Sequence, residues 1–169
     1  MKKILKELFW SLLFGALLAA IILFLTVEAF AYELPGIEEP CGMTEEELGA
    51  VLKGELKQYA REFLWAEEDY QINACFLASI AALESGWGEH LFRPNNIFGF
   101  MTKREFSSIP ENIDFVAWYL RKHYLNEEGR YYRGGTIEAV GRIYCPDDGT
   151  WVRLVTEIYG GMFRNEMGR

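Results

Sequence analysis

The residues Ala81-Ala82-Leu83-Glu84-Ser85-Gly86-Trp87-Gly88-Glu89-His90, continued by Leu91-Phe92-Arg93-Pro94 and then Asn95-Asn96-Ile97-Phe98-Gly99-Phe100, decide the fold of this chain. No charge interrupts the run from Asn73 to Leu83, and Leu77, Ile80 and Glu84 fall at i, i+3 and i+7 on one helical face. A lone carboxylate is thus expected on the face that seeks the core. Gly86 and Gly88 follow at once, so the spacing predicts that the helix stops there and leaves Glu84 at a mouth between core and loop. Beside apolar and aromatic neighbours such as Trp87 and Phe98, the ionised form is disfavoured and the pKa rises. A carboxyl tuned in this way suits proton donation to a glycosidic oxygen near neutral pH. The plainer alternative is a paired or solvated glutamate at a frayed helix end.

Ala81-Ala82-Leu83-Glu84-Ser85-Gly86-Trp87-Gly88 followed by Asn95-Asn96-Ile97-Phe98-Gly99 resembles the signature of the bacterial glucosaminidases, the family 73 glycoside hydrolases that cut peptidoglycan. Autolysins and the flagellar rod-associated muramidase-like domain belong to that family. The resemblance is strongest over residues 72–100 and continues more loosely to about residue 160. It implies a mainly α, lysozyme-like (α+β) domain with Glu84 as general acid, and with Asn95 to Phe100 forming part of a groove wall. Trp87, Asn95, Asn96, Phe98, Phe100 and Trp151 are the substrate-binding candidates that follow.

The same resemblance exposes a departure. Many relatives extend a β-hairpin arm after the Phe-Gly motif, and that arm carries a second acidic residue. Here a helix beginning near Glu111 follows Gly99 within about a dozen residues, so the arm is expected to be shortened. Glu105 and Glu111 are the nearest candidates for a second carboxylate; exposed loop charge and helix first-turn charge are their plainer readings. Inverting and double-displacement hydrolysis both require such a partner, ~6.5–9.5 Å or ~5 Å away respectively. Without one, the 2-acetamido group of the substrate sugar can attack its own anomeric carbon. Further on, Tyr144 in Gly141-Arg142-Ile143-Tyr144-Cys145-Pro146-Asp147-Asp148-Gly149-Thr150-Trp151 matches the tyrosine that lines the family's cleft. It is the second catalytic candidate, against the alternative of a core tyrosine. Trp151 opens the last helix where relatives often have tyrosine.

The flanks set the organisation. In 169 residues there is room for one ordinary domain and a terminal segment. Lys2, Lys3 and Lys6 precede Leu8–Val27, in which only Ser11 and Thr26 are polar. Twenty such residues suffice to span a bilayer core as one helix, and the positive flank keeps the N-terminus inside. Ala29-Phe30-Ala31 also offers a signal-peptidase site, so residues 1–31 read as a transmembrane anchor or a cleaved signal, the length favouring the anchor. Either way, residues 32–169 are expected outside the cytoplasm. Residues 32–43, with Pro35, Gly36 and Pro40, read as a linker. The glucosaminidase-like domain then spans 44–162, and 163–169 form a tail.

Within that domain, Thr44-x-x-Glu47 is a capping box opening a packing helix that runs to about Leu64, with a turn over Trp65–Asp69. Its glutamates read as a solvated face. A third helix is expected over Ile113–Tyr124, with Ile113, Ala117, Leu120 and Tyr124 on one stripe.

Composition excludes other classes of function. Half of the residues are hydrophobic and 15% are aromatic, ample for a core and for sugar-stacking surfaces. A net charge of −8 argues against nucleic acid, and the exported part carries 14 basic and 23 acidic side chains. Peptidoglycan strands are therefore expected to be held by stacking and hydrogen bonds, with the membrane a partner only through the N-terminal segment. His90 and His123 form no ligand pattern with any cysteine, so neither metal nor cofactor is expected. Cys41, Cys75 and Cys145 are odd in number, and their pairing is open. Two alternatives stand beside hydrolysis: lytic transglycosylase chemistry, where the muramyl 6-hydroxyl replaces water, and a non-catalytic glycan-binding or scaffold module of a cell-wall apparatus.

Overall fold

The structure is a computed structural model that describes residues 13–18, 34–100 and 103–167. It divides into two units, residues 1–33 and 34–169. In the first, residues 13–18 are helical and exposed. The remainder of the expected Leu8–Val27 span lies outside the described residues. No helix among the described residues is long and apolar enough to cross a membrane.

The second unit is helical, with no strand among its described residues. Six helices are α1 (Glu45–Val51), α2 (Ala60–Tyr70), α3 (Ala74–Ser85), α4 (Ile109–Leu120), α5 (Ile137–Tyr144) and α6 (Thr150–Met167). A 3-10 segment, Gly54–Tyr59, joins α1 to α2, and a π-helical turn, Arg121–Leu125, extends α4. The α+β expectation therefore resolves into helices alone. Residues 103–108, where the arm would rise, form a turn, an irregular stretch and a bend.

Helix α3 is the axis of the domain. Ten of its twelve residues are buried, and Glu84 is its one exposed residue. A helix apolar on every side must be surrounded, and α3 is packed on α6 and α2, which in turn packs on α4. The Asn73 side chain caps its start by accepting from the Phe76 N–H. Its end follows from two residues. Gly86 takes a left-handed conformation (φ 57°), with the His90 ring so close that a Cβ would lie 2.9 Å from it. The buried Ser85 hydroxyl accepts the Gly88 N–H at 2.8 Å.

Four expectations are corrected. The helix expected over residues 44–64 starts at its Thr44–Glu47 capping box but breaks after Val51. The cause is Gly54 (φ 52°): a Cβ there would sit 2.6 Å from the Trp87 carbonyl oxygen, so the chain must pass that backbone as glycine. The expected Trp65–Asp69 turn is helical, because α2 continues to Tyr70 and closes on left-handed Gln71. In that stretch one Glu67 oxygen accepts the N–H groups of Cys41 (2.8 Å) and Ala74 (2.7 Å).

Residues 34–43 are not a linker. Ile37, Cys41 and Met43 are buried, Asn73 donates to the Glu39 carbonyl, Arg121 pairs with Glu38, and the Tyr159 hydroxyl donates to the Pro35 carbonyl. The segment is a strap across the starts and ends of helices far apart in sequence. Likewise the tail contributes to the core, since α6 runs to Met167 and Phe163 is buried. The Cys41 and Cys75 thiols meet under the strap, where a hydrogen bond from Cys75, opposed by burial, holds the Cys41 thiol below its usual range.

Candidate active site

Glu84 stands where the last turn of α3 leaves the core. Its Oε1 accepts a hydrogen bond of 2.9 Å from the indole N–H of Trp151, in the first turn of α6. Its other oxygen, Oε2, faces Gly99, where a Cβ would lie 3.8 Å away. Glycine at this left-handed position (φ 56°) puts no side chain against Oε2. Apolar surroundings raise the pKa of the carboxyl by desolvation, partly opposed by the Trp151 hydrogen bond. The side chain is nevertheless exposed, more so than its helical face implied. Desolvation on its core side perturbs it, while its exposed side leaves the proton within reach of a large ligand.

Tyr144, at the end of α5, forms the adjoining wall. Its ring lies parallel to Phe100 (centroids 5.6 Å apart, 10° between planes) and 5.1 Å from the Trp151 ring. Its hydroxyl donates to the Phe98 carbonyl at 3.3 Å. Burial, and then the nearby Glu84 charge, push the phenol well above its ordinary range. Tyr144 therefore stays protonated and offers hydroxyl lone pairs rather than a base.

No family model matches the chain. In Streptococcus pneumoniae serotype 4, a protein provisionally named endo-beta-N-acetylglucosaminidase is 28% identical over 102 residues, which are 54% of this chain and 15% of that protein. Its counterpart in strain R6 is also 28% identical over 102 residues, 14% of its length. The chain thus spans about a seventh of the length of these curated relatives. The crystal structure of S. aureus autolysin E with the muropeptide NAM-L-Ala-D-iGlu superposes with a TM-score of 0.58 at 20% identity, covering 80% of this chain and 72% of that one. A catalytic mutant of autolysin E in complex with the disaccharide NAG-NAM has the same TM-score, identity and coverage. The chain shares its fold with S. aureus autolysin E.

Within this fold the candidates from the sequence separate. Glu84, Tyr144, Phe100 and Trp151 converge at one place. Trp151, only 4% exposed, presents its N–H to the acid rather than its ring to solvent. Asn95, Asn96 and Phe98 build the loop instead. The Asn96 amide clips Phe100 from both sides, donating to its carbonyl at 2.9 Å and accepting its N–H at 3.3 Å. Asn95 (φ 60°) donates to the Phe106 carbonyl at 2.9 Å, and Phe98 is a core residue. The loop is further tied when the Ile97 N–H donates to Asn112 at 2.9 Å. Trp87 lines a different cavity of about 200 Å³ with Val51, Lys53 and Met162, its ring 5.2 Å from the Lys53 ammonium.

Of the two second-carboxylate candidates, Glu111 is engaged by its own loop. Glu111 accepts from the Ser107 N–H and hydroxyl and pairs with Arg104 at 3.6 Å; the Ser107 bonds hold its carboxyl below the usual range. It borders a cavity with Glu62, Asp69 and Asp114. Glu105 is exposed on the 103–108 stretch. Sequence reasoning missed Gly99 as the neighbour of Oε2, although its place after Phe98 was the available signal. It also missed Asp147, which accepts the Gly149 and Trp151 N–H groups at 2.9 Å each and so fixes the turn that aims Trp151.

Proposed function

We propose that this domain hydrolyses β-1,4 glycosidic bonds of peptidoglycan next to N-acetylglucosamine, outside the cytoplasm, with Glu84 as general acid. The observation that carries this reading is the asymmetric setting of one carboxyl. Oε1 is held by an indole N–H, while Oε2 faces Gly99, which carries no side chain, and desolvation favours the protonated form. Oε2–H donates its proton to the glycosidic oxygen as the bond to the anomeric carbon breaks. The Trp151 N–H then stabilises the carboxylate left behind. The Tyr144–Phe100 wall offers the stacking surface, and the Tyr144 hydroxyl accepts from a sugar hydroxyl or acetamido N–H.

Glu105 and Glu111 are engaged or exposed elsewhere, which favours chemistry that needs a single carboxylate. In that chemistry the 2-acetamido oxygen attacks the anomeric carbon as the leaving group departs, giving an oxazolinium ion. Water then opens this ion, with ionised Glu84 taking the water's proton. The same observation admits the transglycosylase alternative, in which the muramyl 6-hydroxyl takes the role of water. Purified sacculi treated with the protein, followed by borohydride reduction and mass spectrometry, separate the readings. Reduced N-acetylglucosamine ends support the hydrolase. Anhydro-muramyl ends support the transglycosylase, and no released fragment leaves the non-catalytic module. The N-terminal segment would hold the domain at the membrane or direct its secretion.

A further inference from the structure

Helix α4 and its π-helical extension carry two faces. One, containing Ile113, Val116, Ala117, Leu120 and Tyr124, is buried. The other, Phe115, Trp118, Tyr119, Lys122 and His123, follows i, i+3, i+4, i+7 and i+8 and stays half-buried or exposed. Its rings form a continuous band: Phe115 and Trp118 lie 5.6 Å apart, Trp118 and Tyr119 6.2 Å, Tyr119 and His123 4.3 Å, and His123 and Tyr131 6.2 Å. The band joins the candidate active site, because Tyr119 meets Phe100 edge-on at 5.0 Å and Phe100 stacks on Tyr144. Each of its outer rings is capped by a cation. The Arg104 guanidinium is 3.9 Å from the Phe115 centroid, the Lys122 ammonium 4.9 Å from Trp118, and the Arg130 guanidinium 5.3 Å from Tyr131. Arg104 is paired with Glu111, whereas neither Lys122 nor Arg130 enters an ion pair among the described residues.

Two cations that enter no ion pair among the described residues, set on an aromatic surface, stand out in a chain of net charge −8. A neutral sugar gains little from them, since stacking and hydroxyl hydrogen bonds suffice for it. A ligand that carries carboxylates gains from such cations. We propose that the band from Tyr119 to Lys122 and Arg130 is a second binding surface that takes the carboxylate-bearing peptide stem of the glycan strand whose glycosidic bond lies at Glu84. This rests on the proposed function for the identity of the strand. The contact is electrostatic at its outer end and aromatic where it meets the groove.

The test measures binding, so it does not depend on turnover. Full-length Glu84→Gln protein is titrated with the muropeptide GlcNAc-MurNAc-L-Ala-D-iGlu, and with the same compound having both terminal carboxylates amidated, following tryptophan fluorescence. The acidic ligand is expected to bind about three- to ten-fold more tightly, the contribution of two exposed ion pairs. High salt should erase that difference. The double substitution Lys122→Gln, Arg130→Gln should remove the preference while the melting temperature stays unchanged. Equal affinity for the two ligands, retention of the preference by the double variant, or binding of neither ligand would each overturn the proposal. Anhydro-muramyl ends or no release from sacculi would revise the reaction alone.

Discussion

Replacing Glu84 with glutamine isolates the transferable proton from everything else the side chain does. The amide has the same size and still offers an oxygen to the Trp151 N–H, which now bonds Oε1 at 2.9 Å. It cannot release a proton to a leaving oxygen. A general acid contributes ~10²–10⁴ in rate, equivalent to about 3–5 kcal/mol of barrier at about 1.4 kcal/mol per tenfold. The fold should hardly notice, since Glu84 is the exposed residue of α3 and its indole partner keeps an acceptor.

The sign of the small stability effect follows from the raised pKa. In strong acid the folded and unfolded chains are both protonated, and Glu84 makes no difference to their balance. As pH rises past the ordinary carboxyl range, the unfolded chain ionises first while the folded one retains its proton. Folding is then progressively disfavoured until the folded pKa is passed. Glutamine does not titrate, so the variant should melt slightly higher than wild type at neutral pH and equally in acid. The assay pairs muropeptide release from sacculi, read by mass spectrometry, with melting curves across pH. Wild-type-like release by folded Glu84→Gln protein would refute the general-acid role and leave the scaffold reading.

Trp151→Phe should shift the alkaline limb of the pH–rate profile upward, because the lost indole bond is the interaction that lowers the Glu84 pKa; an unmoved limb would show that the bond does not persist in solution. Tyr144→Phe loses only the 3.3 Å bond to the Phe98 carbonyl, so a stability loss under ~1 kcal/mol with a clear fall in turnover is expected. Loss of folding without a specific activity defect would make Tyr144 a core residue. Asn96→Ala removes both hydrogen bonds that clip Phe100 and should destabilise the domain by ~1–3 kcal/mol in denaturant titration. Unchanged stability would instead favour the substrate-contact role expected for Asn96.

Local chemistry by itself determined the central helix. An uncharged run, an asparagine able to cap its start and a left-handed glycine at its end act over a few residues, so Ala74–Ser85 and the place of Glu84 at its last turn were readable from the sequence. The capping box at Thr44 was legible for the same reason. What the tertiary structure alone decided are encounters between distant segments. Gly54 interrupts the first helix because the Trp87 backbone passes there. The 34–43 strap looked like a linker because prolines and glycine describe its backbone, whereas its burial is supplied by α3, α4 and α6. The partner of Glu84 is Trp151, 67 positions along the chain, rather than the adjacent Trp87. The two asparagines illustrate the difference most plainly. Their side chains are equally able to bind a sugar or a carbonyl, and only the return of the chain through Phe100 and Phe106 commits them to the loop.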